Sequence, residues 1–197
     1  MAALPRGRHQ LTREEVAASQ RGRLLLAMAH VVAHKGFARA TVADVAGQAG
    51  VSTKTFYEHF DGKEGCFLAA HALCVDALIG IMRSALGQGN RGSGDTGLSR
   101  MLRAYLDTLA AEPALARTFL VEVYAAGPRA MEARAAAQRR FGELLAESLG
   151  RRRPGFECEA VVGTISSLVT TKVSLGAYDE LADLHGPIVE FVGRAVP

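Results

Sequence analysis

Residues 36–64, GFARATVADVAGQAGVSTKTFYEHFDGKE, constrain the fold more than any other segment of this chain. Thr41 stands three residues before Asp44 in a shortened capping box, and Val42, Val45, Ala46 and Ala49 then recur at helical spacing. Gly50 permits a tight turn, Val51 plugs it, and Ser52 caps a further helix running from Thr53 to about His59. Phe56 and Phe60 lie one turn apart on the inner side of that helix. A capped helix, a glycine turn and a second helix with a polar outer face have the spacing of a helix-turn-helix. Thr53, Lys54 and Tyr57 would then point at a major groove, which is wide enough for one helix. Ser52, Thr55, His59 and Lys63 are placed to reach phosphates, and the helix N-termini at Thr41 and Asp61 add partial positive charge. Tyr57 is hard to assign to a core, because it shares a face with Thr53 and Lys54.

The flanking sequence supports a helical chain throughout. Thr12 and Glu15 form a capping box, Leu11 can staple onto Val16, and Leu24, Met28, Val31 and Val32 share one face up to Lys35. Gly22 marks a potential break in this helix, and Gly36 offers a left-handed stop. A long helix is predicted from Asp61 or Gly62 to about Leu86, followed by the glycine-rich loop 87–97. Further helices are predicted over 98–111, from Pro113 through Tyr124, and at about 128–149, 156–175 and 180–194. No segment sustains a two-residue alternation. The expected fold is all-α with about nine helices. Residues 1–62 form an N-terminal arm and helix-turn-helix domain, and residues 63–197 form a helical ligand-binding and dimerisation domain.

Charge is uneven along the chain. Residues 1–63 hold nine Lys/Arg against five acids, a net +4, whereas the rest is net −1, so the positive field sits where a polyanion would be read. No apolar run approaches the roughly 20 residues of a membrane span, and the N-terminus lacks an apolar secretory core, so a cytoplasmic protein is expected. Cys66, Cys74 and Cys158 form no CxxC and read as small buried hydrophobes. Gly87-Gln88-Gly89-Asn90-Arg91-Gly92 matches GxGxxG by letter, but a long helix precedes it where a dinucleotide site needs a strand. His30 and His34 share a helix face without a third metal ligand, and Arg151–Arg153 reads as a solvated basic loop. No nucleophile elbow, zinc-protease helix or phosphate loop is present, so neither an enzyme, a metal site nor a cofactor is expected.

The segment closely resembles the DNA-binding domain of the tetracycline-repressor (TetR) family of bacterial regulators. The resemblance rests on Gly36-Phe37, Thr41-Val42-Ala43-Asp44-Val45-Ala46, Ala49-Gly50-Val51-Ser52, Thr55-Phe56-Tyr57-Glu58-His59-Phe60 and Lys63-Glu64, within residues 24–68. It implies a homodimeric repressor, released from a palindromic double-stranded DNA operator when a small-molecule effector binds the C-terminal domain. By the same resemblance Thr53, Lys54 and Tyr57 are candidate base readers, and Thr41, Ser52, Thr55, His59 and Lys63 candidate backbone contacts. Arg6, Arg8 and Arg13 form a basic arm that either adds DNA contacts or is a disordered tail. The competing expectation is a helical small-molecule-binding protein whose DNA-binding head is vestigial.

Two features of the C-terminal half carry further expectations. AVVGTISSLVTT, between Glu159 and Lys172, is twelve residues without a charge, so its helix is buried on nearly every side. With the helix at about 180–194 it would form a homodimer face, the alternative being an intramolecular core. Glu122 sits in the mainly apolar run Thr118–Tyr124, and either pairs with Arg103 or Arg117 or faces a cavity as a ligand contact. Met82, Met101, Tyr105 and Phe119 are the candidate apolar walls of such a ligand site.

Overall fold

The computed structural model describes residues 12–88 and 96–196, and these are helical without a strand. The elements in order are α1 (Arg13–Lys35), α2 (Val42–Ala49), α3 (Thr53–His59), α4 (Lys63–Gly87), α5 (Gly97–Ala111) and α6 (Pro113–Leu120). A 3-10 turn (Glu122–Ala125), α7 (Pro128–Ser148), α8 (Phe156–Leu175), a second 3-10 turn (Asp179–Leu184) and α9 (His185–Ala195) follow. Leu11, the Arg6/Arg8 arm and residues 89–95 of the glycine-rich loop, with the last four of its GxGxxG letters, lie outside the described residues.

The first three helices begin at side-chain caps that the local sequence supplies. Glu15 N donates to Thr12 Oγ1 at 3.1 Å while Glu15 Oε2 accepts from Thr12 N at 2.7 Å. Thr41 and Asp44 repeat this box, and Thr55 N donates to Ser52 Oγ at 3.0 Å. Gly36 and Gly50 adopt φ of +79° and +65°, which only glycine takes without strain. At Gly36 the approach is close as well, since an added Cβ would stand 3.3 Å from Glu122 Oε2. The helix does not break at Gly22: α1 is continuous, and that position faces open space.

Two apolar clusters organise the chain. The first joins Leu24, Met28 and Val32 of α1 to Val45, Phe56 and Phe67, and it is completed by Phe119, Val123, Ala126 and Ala130 from far along the sequence. The second gathers α5, α7, α8 and α9 around Met101, Leu106, Leu144, Val161, Leu181 and Val192. Helix α4 serves both, with Cys66, Phe67 and Ala70 in the first and Val75, Ile79 and Met82 in the second.

That double duty corrects one expectation. Residues 63–87 form a helix with a mean hydropathy of 1.9 over its most apolar window, long and apolar enough by composition to cross a membrane. Part of that apolarity faces the two cores, while Leu73 and Ile81 stay exposed on the outer side of the rod. Two helix limits also differ from the sequence reading. The helix opened by Pro113 ends at Leu120, and Glu122–Ala125 tighten into a 3-10 turn that carries Val123 into the N-terminal core. The last helix starts at His185, because Asp179–Leu184 form a 3-10 turn that buries Leu181 completely.

Candidate nucleic-acid interface and ligand cavity

Packing decides which side of α3 is free. Phe56 is fully buried against α1 and α2, and Phe60 packs beside it with ring centroids 5.6 Å apart. The opposite side of the helix presents Thr53, Lys54 and Tyr57 to solvent, with Tyr57 59% exposed. Its ring stands edge-on to Phe56 at 5.5 Å, so the core orients a side chain that lies outside it. A tyrosine exposed in this way presents an apolar ring and a phenolic hydroxyl to a partner.

The other candidate contacts divide into free and engaged groups. Ser52 and Thr55 are linked through their hydroxyl oxygens at 3.0 Å at the start of α3, and both can also accept or donate outward. Thr41 Oγ1 donates to Asp44 Oδ2 at 2.8 Å. Lys35 Nζ pairs with Asp44 Oδ1 at 2.6 Å, and this ammonium, with the Thr41 bonds, holds the Asp44 carboxyl down at about 2. His59 Nε2 stands 3.4 Å from Gln20 Oε1, tying α3 to α1. Arg23 Nη1 donates to Ala49 O at 2.9 Å, and Arg21 lies over the Phe60 ring at 4.8 Å, so two of the head's cations act as internal clamps.

Lys63 has partners within the head. Its ammonium donates to Phe37 O at 2.7 Å and Ala40 O at 2.9 Å, and lies 4.3 Å from the Phe37 ring centroid. These contacts occupy the donors that a phosphate would need. They fasten the start of α4 to the α1–α2 connection, so Lys63 is a structural tie before it is a DNA contact.

Behind the head, α4 to α8 enclose a cavity of about 410 Å³. This is far larger than the water-sized voids of a packed interior, and within the range of small-molecule sites. Met82, Met101, Tyr105 and Phe119 all lie on its wall. Glu122 does not. Its Oε2 accepts from Phe37 N at 3.0 Å and its Oε1 stands 3.6 Å from Arg117 Nη2. The 3-10 turn rotates the carboxylate away from the cavity and onto an otherwise unpaired amide at the end of α1. Of the two arginines proposed from sequence, Arg117 is the partner; Arg103 stands beside His185 instead.

Residues that sequence reasoning passed over also line the cavity. His71 of α4 is 4% exposed, packs edge-on to Phe119 at 5.6 Å, and is pushed toward its neutral form by burial and then by the charge of Arg134. Burial raises the thiol of Cys74, also on the wall, to about 11, and Cys66 to about 12, so neither is a reactive thiolate. Arg134 of α7 reaches the same wall. A helical-period pattern assigns such residues to a face, but does not say that the face borders a void.

Phe119 belongs to both regions. It lines the cavity and also stacks at 5.6 Å on Phe67, which meets Phe37 edge-on at 5.1 Å. Nearby, Thr118 Oγ1 donates to Ala29 O at 2.7 Å in a fully buried bond. The cavity wall and the core of the reading head are thus contiguous.

Comparison with known proteins agrees with this geometry. Residues 24–70 match the model of the bacterial regulatory proteins, tetR family. The transcriptional activator FasR of Mycolicibacterium smegmatis is 36% identical over 78 residues, covering 40% of this chain and 34% of that protein. The chain therefore spans about a third of the length of that curated relative. The fatty acid degradation regulator FadR from Bacillus halodurans superposes with a TM-score of 0.75 at 20% identity, over 87% of this chain and 96% of that one. FadR from Bacillus subtilis, solved in complex with stearoyl-CoA, gives 0.72 at 20% identity over 89% and 99%. At such identities these structures establish the fold. An exposed, capped helix on a three-helix head, backed by a helical domain, is a helix-turn-helix arrangement. Residues 24–70 thus match the DNA-binding domain of the tetR family, and the whole chain shares the fold of solved regulators of that kind.

Proposed function

We propose that the protein is a homodimeric, ligand-responsive transcriptional regulator that reads a palindromic DNA operator in the cytoplasm. The observation that carries this reading is α3: its apolar side is fully engaged while Thr53, Lys54 and Tyr57 stand free on a basic head. Residues 1–62 would form the reading unit and residues 63–197 the effector and dimerisation unit, with Phe119–Ala130 anchoring the second into the core of the first.

The dimer contact proposed here is made by α8 and α9. Helix α8 exposes an uncharged strip, Ala160, Gly163, Thr164, Ser167, Leu168 and Thr171, flanked by Phe156 at 81% and Leu175 at 76% exposure. Phe191 of α9 adds to it, 39% exposed. Large apolar side chains left in water on a strip of small residues favour a self-complementary helix pairing across a twofold axis.

The effector would occupy the cavity, and the stearoyl-CoA bound by Bacillus subtilis FadR supports an acyl-type ligand for so apolar a wall. A ligand shifts operator affinity only if it binds the DNA-competent and DNA-incompetent spacings of the two heads differently. The contact from Phe119 to Phe67 and Phe37 supplies a path for that difference beside the one through α4. We favour repression relieved by ligand; the activator FasR motivates the opposite sign as the second reading.

The test is titration of the purified protein against DNA from upstream of its own gene, over a range of salt and with or without ligand. A regulator shows one preferred sequence and an affinity that falls steeply with salt. Ligand binding without salt-dependent DNA binding would indicate a vestigial head. In vitro transcription from the same DNA then separates repression from activation.

A further inference from the structure

Among the described residues, Arg134 is the one permanent cation that lines the cavity. From α7 its Nη2 donates to Ser166 Oγ of α8 at 3.0 Å, and its guanidinium carbon stands 5.0 Å from the Tyr124 ring centroid. Its Nε–H is shut off from solvent and has no acceptor. Glu112, the single carboxylate on the wall, is exposed and does not pair with it. A guanidinium enclosed in this way lacks the anionic oxygens that its rigid donor fork is shaped to hold.

The surrounding polar groups are neutral. His71 has no hydrogen-bond partner among the described residues and is held toward its uncharged form by burial and by Arg134. Burial raises the Tyr105 phenol well above its ordinary range, so it too stays protonated. One fixed positive charge therefore faces an apolar space with neutral hydrogen-bonding groups around it. That arrangement matches a ligand with one anionic end and a hydrocarbon body.

We propose that the cavity takes an anionic amphiphile, its apolar chain against Met82, Met101 and Phe119 and its anionic oxygens on Arg134. The proposal rests on the reading of this cavity as the effector site. The carboxylate of a free fatty acid and the phosphates of an acyl thioester share the required chemistry, and binding measurements tell them apart.

The full-length protein is titrated calorimetrically with dodecanoate, dodecanol and dodecanoyl-CoA. An Arg134-held head makes an anionic ligand bind about tenfold or more tightly than the alcohol, roughly 1.4 kcal/mol. R134Q removes that preference, and R134K restores part of it. Circular dichroism and an unchanged melting temperature certify that the variants are folded. Preference for the free acid assigns the anion to a carboxylate; preference for the thioester, lost in R134Q, assigns it to phosphate. Equal binding of acid, thioester and alcohol, or a preference that survives in R134Q, overturns the head-group assignment and leaves the cavity reading standing. Binding of none of the three overturns both.

Discussion

The two ends of α4 belong to regions built on opposite plans. Around Cys66 and Phe67 the helix helps to fill a core in which Leu24, Met28, Val45 and Phe56 are fully buried, and the candidate DNA contacts lie on the outside. Around Val75 and Met82 the same helix borders a cavity of about 410 Å³, and the candidate ligand contacts lie on the inside. On the function proposed above, the head would hold Tyr57 and Lys54 in a fixed frame, because a base edge is read by geometry. The C-terminal half would have to change shape to report an occupied cavity. The two regions share one helix, and Phe119 and Glu122 join them on the other side.

The comparison is broken most severely at Phe56. Replacing this fully buried ring by alanine should cost about 3–5 kcal/mol in urea unfolding and abolish operator binding. The same truncation at Met82, which already borders the void, should cost distinctly less, since it extends a cavity rather than opening one. Equal losses at the two sites would erase the contrast between full core and compliant wall.

Tyr57→Ala separates frame from function within the head. The side chain is exposed, so stability should hold within about 0.5 kcal/mol, while operator affinity falls by about 1–3 kcal/mol. Gel-shift titration beside a denaturant curve checks both; unchanged affinity would remove Tyr57 from the interface. Glu122→Ala tests the stitch between the regions. It strands Phe37 N and the Arg117 charge, and should destabilise the protein by about 1–3 kcal/mol. If Glu122 were instead a ligand contact, the variant would lose effector affinity at unchanged stability.

The smallest effect concerns acid. The folded site around His71 disfavours the proton that the unfolded chain accepts near 6.5. Lowering the pH through that value therefore favours unfolding, and the contribution of His71 is fully present only above it. H71F should flatten the melting temperature against pH between about 7 and 5. An unchanged slope would place the ring in a wetter setting than the cavity wall provides.

Much of the head was legible in the residues themselves. Thr12 with Glu15, Thr41 with Asp44, and Ser52 with Thr55 are partners three positions apart, so the helix starts follow from local chemistry that tertiary structure leaves intact. The limits of α2 and α3 came out as the caps and glycines implied. The internal tie of Lys63 was not legible, because nothing in its neighbourhood along the chain reveals that three carbonyls of residues 37–40 converge on its ammonium. For Glu122 the sequence left pairing with arginine or a cavity contact open; periodicity continued the helix of Pro113 through it, whereas pairing with Phe37 N, 85 positions away, favours the 3-10 turn.

The sequence alone determined what is local: the helical period, the caps, the left-handed glycines and the polar outer face of α3. Each depends on groups within about one turn of one another, where spacing along the chain is distance in space. Tertiary structure decided the rest. It made Lys63 a tie, turned Glu122 toward the head, left a cavity among α4 to α8, and set Arg134 on its wall without an anion. An apolar helix face reads the same whether a neighbour fills the space before it or leaves it empty. That difference exists only once five helices are assembled around it.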